Sequence, residues 1–499
     1  MDHEAEYWSG LESTNQWYPD FVSQLSKQVG AQQDEGRAAM ITFQDGAEPS
    51  LRVFKNSKAL RRYFTNSPTP ISPDAPVCRR VFVLEGLPRR FIQILGSRLR
   101  VPPSFFAAHS AQPGKFVGSL LNHTLRHYDN RSRFTLISPK LHQAKIQEKP
   151  SNNANPVYFM QSSITRQLAR ITLFGEFEDP LWSFEKVSFW SVCEGKSWDA
   201  LLLVDPPLGD FVMMPGDHVP RPVVHKNPDN VNPRGIGDSV SQDGYWYAPF
   251  PADNAGQMPG MKSMFDDIVS LCPARQRQST EDPITSTDIC RQLVLSAWIA
   301  RLRVTEAEVV RKQYQMSISP DSSTFIPGTW LNGSWTRPWT QREFGGLVRA
   351  KSALESIDTT LFYNMDAIGI GGTSQIAEEW ENEAWKSLRN TLLTLKTRVD
   401  ILLEAYPQAV SVRESIVANK QAQQVGYLTS LATLFVPVSF IAAVFSMGGD
   451  YAAGQQSFYV FWAISLPIVV VACAYLFGGC VLSLLRKCLG TCEGEKCPV

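Results

Sequence analysis

Two long stretches near the C-terminus carry no Asp, Glu, Lys or Arg, and a single aspartate, Asp450, separates them. The first stretch runs from Gln421 to Gly449, and the second begins directly after Asp450. Each contains an apolar core, Leu428–Met447 and Phe458–Leu485, that is long enough to cross about 30 Å of hydrocarbon as an α-helix. The short linker between the cores leaves room only for a tight turn. The sequence therefore predicts a two-helix membrane hairpin that follows a large polar region.

Six parts are predicted in chain order, and the polar region is by far the longest of them. They are an α/β domain over 1–372 with a loop-rich segment at 209–260, a helical stalk over 373–424 with a break near Pro407, a first transmembrane helix over 425–448, an outer loop over 449–457, a second transmembrane helix over 458–485, and a cysteine-containing tail over 486–499.

The polar domain shows strand patterns first and helix patterns later. Short apolar runs such as Arg80–Leu84 and Ala200–Val204 predict strands, and the Pro-Pro pair after the second run ends it in a turn. The segment 97–109 predicts a short helix and then a new helix that starts at a Pro-Pro pair. From about Lys262 onward the patterning is helical. An α/β fold with long C-terminal helices follows.

A heptad pattern of apolar residues precedes the first membrane helix. Its members are Leu388, Leu392, Leu395, Val399, Leu402 and Tyr406, with alternating spacings of four and three. The pattern fits either an amphipathic helix packed on its own domain or an oligomeric stalk that reaches the membrane. Pro407 interrupts the pattern, so a kink or break is expected there.

Charge limits the partners and sets the orientation. The chain has 48 basic and 48 acidic residues, which argues against a nucleic-acid partner held by bulk electrostatics. Basic residues flank the two spans, at Lys420 and Arg486, while the outer loop carries only Asp450. The positive-inside rule then places both termini in the cytosol. The expected membrane is the plasma membrane, with an organelle membrane as the alternative.

The cysteines predict a reducing environment. Nine are present, and those of the polar domain are scattered in a way typical of reduced cytosolic thiols. Three more, Cys488, Cys492 and Cys497, follow the second span directly. Juxtamembrane cysteines of this kind are candidates for palmitoylation, and exposed free thiols are the simpler interpretation.

No motif for an enzymatic reaction is present: the sequence lacks a Walker A loop, a G-x-S-x-G and an H-E-x-x-H. His123 and His127 stand four residues apart with Asp129 close by, which is at most half of a metal site. The Asp266–Asp267 pair is expected to be solvated. The chemistry of the chain is therefore expected in the hairpin, and no metal ligand set can be named.

One face of the first span carries several small or hydroxyl-bearing residues. The face, called here the predicted pore face, consists of Leu428, Ala432, Val436, Ser439, Ala443 and Ser446. Small residues let neighbouring helices approach closely. A ring of such faces around a symmetry axis would make a narrow pore. The central Pro437 is tolerated in a membrane helix because neighbouring helices can satisfy the freed carbonyl.

The first span, LTSLATLFVPVSFIAAVFSMGGD, resembles that of the CorA family of magnesium transport proteins, particularly its fungal members. Positions that match the family pattern include Leu428, Phe435, Pro437, Phe440 and Met447. Upstream, VPPSFFAAH and WDALLLVDPP resemble weaker family segments, and FYVFWAISLPIVVV resembles the fungal second span.

The resemblance implies a homopentamer with a cytosolic α/β domain, stalk helices, pore-forming first spans and an outer ring of second spans. It implies hydrated Mg²⁺ as the transported and regulatory ion, with the lipid bilayer and other copies of the chain as partners. The ion path would include Leu428, Val436, Ser439 and Gly448. Ser446, Met447 and Asp450 complete the candidate residues at its outer end.

One departure from the family concerns its Gly-Met-Asn signature, which is Ser446-Met447-Gly448 here. An Asn amide oxygen can hold a hydrated cation through its waters, whereas Gly448 offers only a backbone carbonyl. The primary interpretation is a CorA-like divalent-cation channel. The alternative is a non-transporting relative that uses the hairpin to anchor a sensor or interaction domain, and a membrane-anchored enzyme ranks last.

Overall fold

The computed structural model describes most of the chain. The described residues are 2–16, 18–28, 36–44, 48–66, 77–113, 132–142, 144–146, 157–160, 162–170, 181–214, 219–225, 263–275, 282–317, 341–370, 377–446 and 459–471. The chain divides into two units, Met1–Glu404 and Ala405–Val499.

The first unit contains a sheet with eleven strands among the described residues. The strands are β1 (Arg37–Phe43), β2 (Ser50–Phe54), β3 (Arg79–Glu85), β4 (Arg133–His142), β5 (Ala144–Ile146), β6 (Tyr158–Met160), β7 (Gln167–Arg170), β8 (Leu181–Glu194), β9 (Ser197–Val204), β10 (Phe211–Met213) and β11 (Arg221–His225). Their order is β2-β1-β3-β9-β8-β7-β6-β10-β11-β5, with β4 on β8. Only β3 and β9 pair in parallel, in the register Val81↔Ala200; the other pairs are antiparallel.

The helices of the first unit form an early group, which lies before β4 in the chain, and a late group, which lies after β11. The early helices are α1 (Asp2–Ser13), α2 (Pro19–Lys27), α3 (Ser57–Asn66), α4 (Arg89–Arg98) and α5 (Pro103–Ser110). After them come α6 (Met264–Arg275), a 3₁₀ turn (Pro283–Thr287), α7 (Asp288–Ser317), α8 (Gln341–Ala367) and the start of α9 (Glu379–Phe445). The predicted Pro-Pro helix start is confirmed at α5, whose first residue is Pro103.

Both faces of the central strands are buried, and each face has its own core. On β3, Val81 and Val83 belong to the core with the late helices, whereas Phe82 and Leu84 belong to the core with the early helices. Alternation with a period of two produces this division because successive side chains of a strand point to opposite faces. The predicted α/β domain is thus a sheet covered by helices on both sides.

The segment predicted as loop-rich at 209–260 contains two short strands, β10 and β11. They extend the sheet through β6 and β5, so tertiary pairing overrides a local composition rich in Pro and Gly. The remainder of the segment, 215–218 and 226–260, lies outside the described residues.

The heptad pattern packs inside the first unit. Leu388, Leu392, Leu395 and Val399 are at most 6% exposed and belong to the core shared with α7 and α8. Leu402 and Tyr406 are also buried. These side chains are therefore covered within one chain, which agrees with the amphipathic-helix interpretation of the pattern. The oligomeric interpretation stays a prediction.

In the second unit, α9 continues through Pro407 as one helix, so of the kink or break expected there, the break is not observed. Proline has no N–H and therefore removes one helical hydrogen bond. The hydrogen bonds of the turns on both sides of Pro407 keep the segment helical despite this missing bond. The helix also contains Pro437 and ends at Phe445. A further helix, α10 (Tyr459–Val471), is described beyond it.

Candidate functional site

One helical stretch among the described residues, Glu414–Val444, is long and apolar enough to cross a membrane by length and composition. Its apolar side chains are mostly exposed within the chain, for example Phe440 at 69%. Large exposed apolar surface on a helix indicates that lipid or other protein covers it. Of the second predicted span, only α10 is described, and it is shorter than a bilayer requires.

The predicted pore face is exposed along its whole length. All six of its residues, from Leu428 to Ser446, are exposed in the isolated chain, with Leu428 at 69% and Val436 at 64%. Among the side chains of this stretch whose exposure is described, the less exposed ones are Ser430, Pro437, Val438 and Ile441. At about 100° per residue, the middle of this second group lies roughly 180° around the helix from the middle of the pore face. One side of the helix is thus shielded within the unit, and the opposite side is free.

The hydroxyl groups of the span differ in what they bind. Ser430 Oγ donates to the Gly426 carbonyl at 2.9 Å, and Thr433 Oγ1 donates to the Thr429 carbonyl at 2.8 Å. Ser446 Oγ donates to the Ala443 carbonyl at 3.1 Å near the end of the helix. Ser439 is exposed in the middle of the pore face.

Three predicted site residues, Met447, Gly448 and Asp450, lie outside the described residues, as do the tail cysteines and His123, His127 and Asp129. The Asp266–Asp267 pair is described, and it differs from the solvated pair that the sequence predicts. Asp266 accepts two hydrogen bonds from Arg37, at 2.7 and 2.9 Å, and burial raises the pKa of Asp267 to about 6.

A second cluster of polar groups lies within the first unit, at the end of α5. This buried ion network consists of His109, Arg166, Lys186 and Asp205, each at most 2% exposed. Arg166 donates to both carboxylate oxygens of Asp205, at 2.5 and 2.9 Å. Burial alone would raise the pKa of Asp205, but the Arg166 charge and the His109 contact hold it below its usual value.

The two cations of the network also cap the last turn of α5. Arg166 donates to the carbonyls of His109 and Ser110, and Lys186 Nζ donates to those of Ala108 and Ala111. The last carbonyls of a helix have no partner within it and carry partial negative charge. The network therefore fixes the predicted Pro-x-x-Phe-Phe-x-x-His segment against the sheet.

His109 stands between a serine and an aspartate, in an arrangement that resembles a catalytic triad. Its Nδ1 lies 2.8 Å from Ser188 Oγ, and its Nε2 lies 3.1 Å from Asp205 Oδ1 at an angle poor for a hydrogen bond. Burial lowers the pKa of His109 to about 4. His109 and Ser188 are completely buried, so no substrate reaches the hydroxyl. The arrangement is structural.

Beside the network lies a buried carboxyl group, Glu185. Its Oε2 is 3.8 Å from Lys140 Nζ, and its Oε1 has no hydrogen-bond partner in the described part of the chain. Burial raises the pKa of Glu185 to about 7, an effect that Lys140 opposes. Across the described residues, no group of three His, Cys, Asp or Glu side chains could hold a metal ion.

The sequence did not predict the ion network, although it contained signals for it. Asp205 directly follows the apolar run Ala200–Val204, and Lys186 lies within a strand between the aromatic residues Phe184 and Phe189. A charge at such positions is buried and therefore requires a partner. Which partner it finds depends on pairings between β7, β8 and β9 that are distant in the sequence.

An α/β domain followed by a long helix whose last part is apolar and exposed defines a membrane protein with a large polar domain. Comparison with known families makes the identification specific. Residues 340–478 match the model of the family described as "CorA-like Mg2+ transporter protein". This part of the chain, from α8 through α10, therefore matches the family that the resemblance in the first span predicted. The family is one of transporters and not of enzymes.

Two solved structures are similar at low identity. The complete structure of the CorA magnesium transporter from Methanocaldococcus jannaschii is 10% identical, with a TM-score of 0.31, covering 88% of this chain and 96% of that one. The full-length CmaX protein is also 10% identical, with a TM-score of 0.33 and coverages of 91% and 98%. At these TM-scores neither structure supports a conclusion about the fold or function of this chain. No curated protein matches the chain in sequence.

Proposed function

We propose that the protein is a CorA-like channel that lets a hydrated divalent cation, Mg²⁺, pass down its electrochemical gradient. The observation that carries the proposal is the exposed face of Glu414–Val444, which lies opposite the shielded side of the same helix. Such a face needs a partner, and in a homopentamer five copies of it would enclose a path. The family match over residues 340–478 supports Mg²⁺ as the ion.

The geometry suggests how the path would work. Ser439 hydroxyls would contact the water shell of the ion midway through the membrane, because Mg²⁺ gives up its waters reluctantly. Leu428 and Val436 would form apolar constrictions of the kind that gate by dewetting. Gly448 carbonyls and the Asp450 ring would receive the ion at the outer end. No covalent step is involved.

The finer features of the channel belong to the same proposal. Both termini would face the cytosol, the second span over 458–485 would form an outer ring, and the expected membrane is the plasma membrane. Cytosolic Mg²⁺ bound by carboxylates of adjacent copies would close the pore as its level rises. In this proposal the ligands would come from two copies. Within the described part of one chain, no group of three His, Cys, Asp or Glu side chains could hold a metal ion.

Flux of Mg²⁺ into proteoliposomes that hold the purified protein and an internal ion-sensitive dye tests the proposal. Val436→Phe should block the native flux, because Val436 belongs to the pore face. Val444→Phe adds the same bulk about 80° further around the helix, outside that face, and should leave most of the flux. Both positions are exposed, at 64% and 49%, so the pair is matched. Equal flux in the two variants would contradict the proposed pore.

A second candidate function is an anchored sensor or interaction protein without transport. The sequence Ser446-Met447-Gly448 favours it, since the amide of the family signature is absent. Gly448→Asn distinguishes the two candidates. If the native protein is silent and the variant conducts, the pore frame is intact and its outer amide ring is lost. If the native protein conducts, Gly448→Asn should raise the flux.

A further inference from the structure

The strand β2 lies at one end of the sheet, and among the described residues no strand pairs with its outer edge. Its first four residues, Ser50 to Val53, are all exposed, so their side chains are not covered within the chain. In an antiparallel pair, alternate residues direct their N–H and C=O groups to the partner strand, and the residues between them direct theirs away. The outer edge of β2 therefore presents backbone donors and acceptors to which a further strand can be added.

One face of β2 is apolar and exposed. Leu51 pairs with Ile41 of β1 and is 42% exposed, and Val53 pairs with Ala39 and is 46% exposed. Ile41 and Ala39 belong to the core with the late helices, in which α6 packs against β1, β2 and β3. An added strand with apolar side chains on this face would cover Leu51 and Val53, because paired residues of neighbouring strands lie on the same side of a sheet.

The opposite face of β2 is basic. The guanidinium of Arg52 lies 5.4 Å from the ring centre of Phe54 and 5.2 Å from that of Tyr63, so it is on the side of α3. This helix and the turn before it add further exposed basic residues, which are Lys55, Lys58 and Arg62. The sequence has no Asp or Glu from 49 to 73, so this region is strongly positive although the whole chain is neutral.

The two faces together limit which strand fits the edge. A second copy of β2 would bring like charges together at Arg52, which is unfavourable in a strand pair. A strand that alternates apolar and acidic residues would place apolar side chains beside Leu51 and Val53 and carboxylates beside Arg52. The lysines of the neighbouring turn and helix would attract the same acidic strand over a longer distance.

We propose that the outer edge of β2 is a docking site for an extended segment of a partner protein in which apolar and acidic residues alternate. Backbone hydrogen bonds would add the segment to the sheet as a further strand. Its apolar side chains would cover Leu51 and Val53, and its carboxylates would pair with Arg52 and Lys55. The site does not depend on transport, so a chain that conducts no Mg²⁺ would keep it.

Fluorescence anisotropy of a labelled peptide, Val-Glu-Val-Glu-Val-Glu, with the full chain in detergent tests the proposal. The native protein should bind this peptide, and added salt should weaken the binding. The block peptide Val-Val-Val-Glu-Glu-Glu has the same composition, but it cannot separate its side chains by face and should bind about tenfold more weakly. Failure of the alternating peptide to bind, or equal binding of the block peptide, would overturn the proposal.

Methylation of the peptide nitrogens tests strand pairing directly. N-methyl groups on one set of alternate residues replace the N–H groups that point to β2, and they should abolish binding. N-methyl groups on the other set point away from β2 and should be tolerated. Equal effects of the two sets would contradict an added strand and would leave only attraction between an acidic peptide and a basic surface.

The apolar contribution is tested by Leu51→Ser/Val53→Ser, which should weaken binding of the alternating peptide about tenfold. The control, Val310→Ser/Leu393→Ser, makes the same kind of change at helix positions that are 46% and 42% exposed. It should keep the native affinity. Equal losses in the two double variants would overturn the assignment of the apolar face, and unfolding curves show whether each variant is folded.

The charge contribution is tested by Lys55→Glu/Lys58→Glu, which should also weaken binding about tenfold because attraction becomes repulsion. Lys27→Glu/Lys386→Glu changes the net charge by the same amount at exposed positions on α2 and α9. This control should bind the peptide as the native protein does. An equal loss in the control would mean that net charge alone attracts the peptide, and the proposed site would be wrong.

Discussion

The first unit and the long helix of the second unit differ in the burial of their apolar side chains and in their content of charged side chains. In the first, apolar residues are buried on both faces of a sheet, and the buried charges of Arg166 and Asp205 contact each other directly. In the second, Phe440 and Leu428 are each 69% exposed and charges are almost absent. The first unit buries its apolar side chains within one chain, whereas the long helix leaves them exposed for lipid or other protein to cover.

This difference in burial predicts that substitutions in the first unit should affect stability and that substitutions on the long helix should affect transport. A change in the first unit leaves a buried group without its partner and should lower the free energy of unfolding. A change on the exposed helix leaves the isolated chain nearly as it was, because nothing within that chain covers the side chain. Its effect should appear in flux or assembly.

Arg166→Met should have the largest effect on stability. It leaves the buried carboxylate of Asp205 without its cation, which typically costs about 3–5 kcal/mol. Urea unfolding of the full chain in detergent, followed by tryptophan fluorescence, measures the loss. The control is Lys351→Met, which removes a 2.8 Å pair with Asp400 whose side chains are 48% and 43% exposed. A similar loss in both variants would show that burial of the ion network does not matter.

Leu392→Ala compared with Leu393→Ala tests where the heptad pattern packs. Leu392 is completely buried in the core of the first unit, and its neighbour is 42% exposed. We expect the first substitution to lower the free energy of unfolding by about 2–4 kcal/mol, and the second to change it little. The molecular mass of both variants should stay that of the native assembly. Dissociation of Leu392→Ala without loss of stability would instead support an oligomeric stalk.

Glu185→Gln should change how stability depends on pH. In the unfolded chain the carboxyl group ionises near its usual pKa, whereas burial keeps the folded pKa at about 7. The folded state therefore binds more protons between these values, and stability falls as pH rises towards 7. The glutamine variant lacks this contribution, so its stability relative to the native protein should rise by roughly 2 kcal/mol from pH 5 to pH 8. Parallel pH profiles would show that Glu185 ionises normally.

Ser439→Ala should have the smallest effect, and only on transport. Loss of a hydroxyl that contacts the water shell of the ion should lower Mg²⁺ flux about fivefold, the equivalent of roughly 1 kcal/mol. Ser430→Ala is the matched control, because that hydroxyl donates to the Gly426 carbonyl of its own helix. The unfolding curves of both variants should match that of the native protein. Equal flux would remove Ser439 from the ion path.

Local sequence patterns were enough to predict several parts of this molecule. The strands at Arg79–Glu85 and Ser197–Val204, the helix that begins at Pro103 and the apolar helix before Ser446 all follow from periodicity, proline position and absence of charge. The predicted pore face was derived from spacing alone, and it stays a prediction. These features depend on residues within a few turns of each other, so the local sequence contains the information.

The contacts between residues that are far apart in the sequence could not be predicted from local patterns and are seen only in the folded structure. It placed Arg166 beside Asp205, paired β10 and β11 with strands far away in the chain, and buried Leu392 within its own domain. It also carried the helix through Pro407, where the local rule predicts a break. A heptad pattern indicates that one face of a helix must be covered, and a charged residue within an apolar run indicates that a counterion is needed. Neither pattern specifies the partner, because the partner is set by how the whole chain packs.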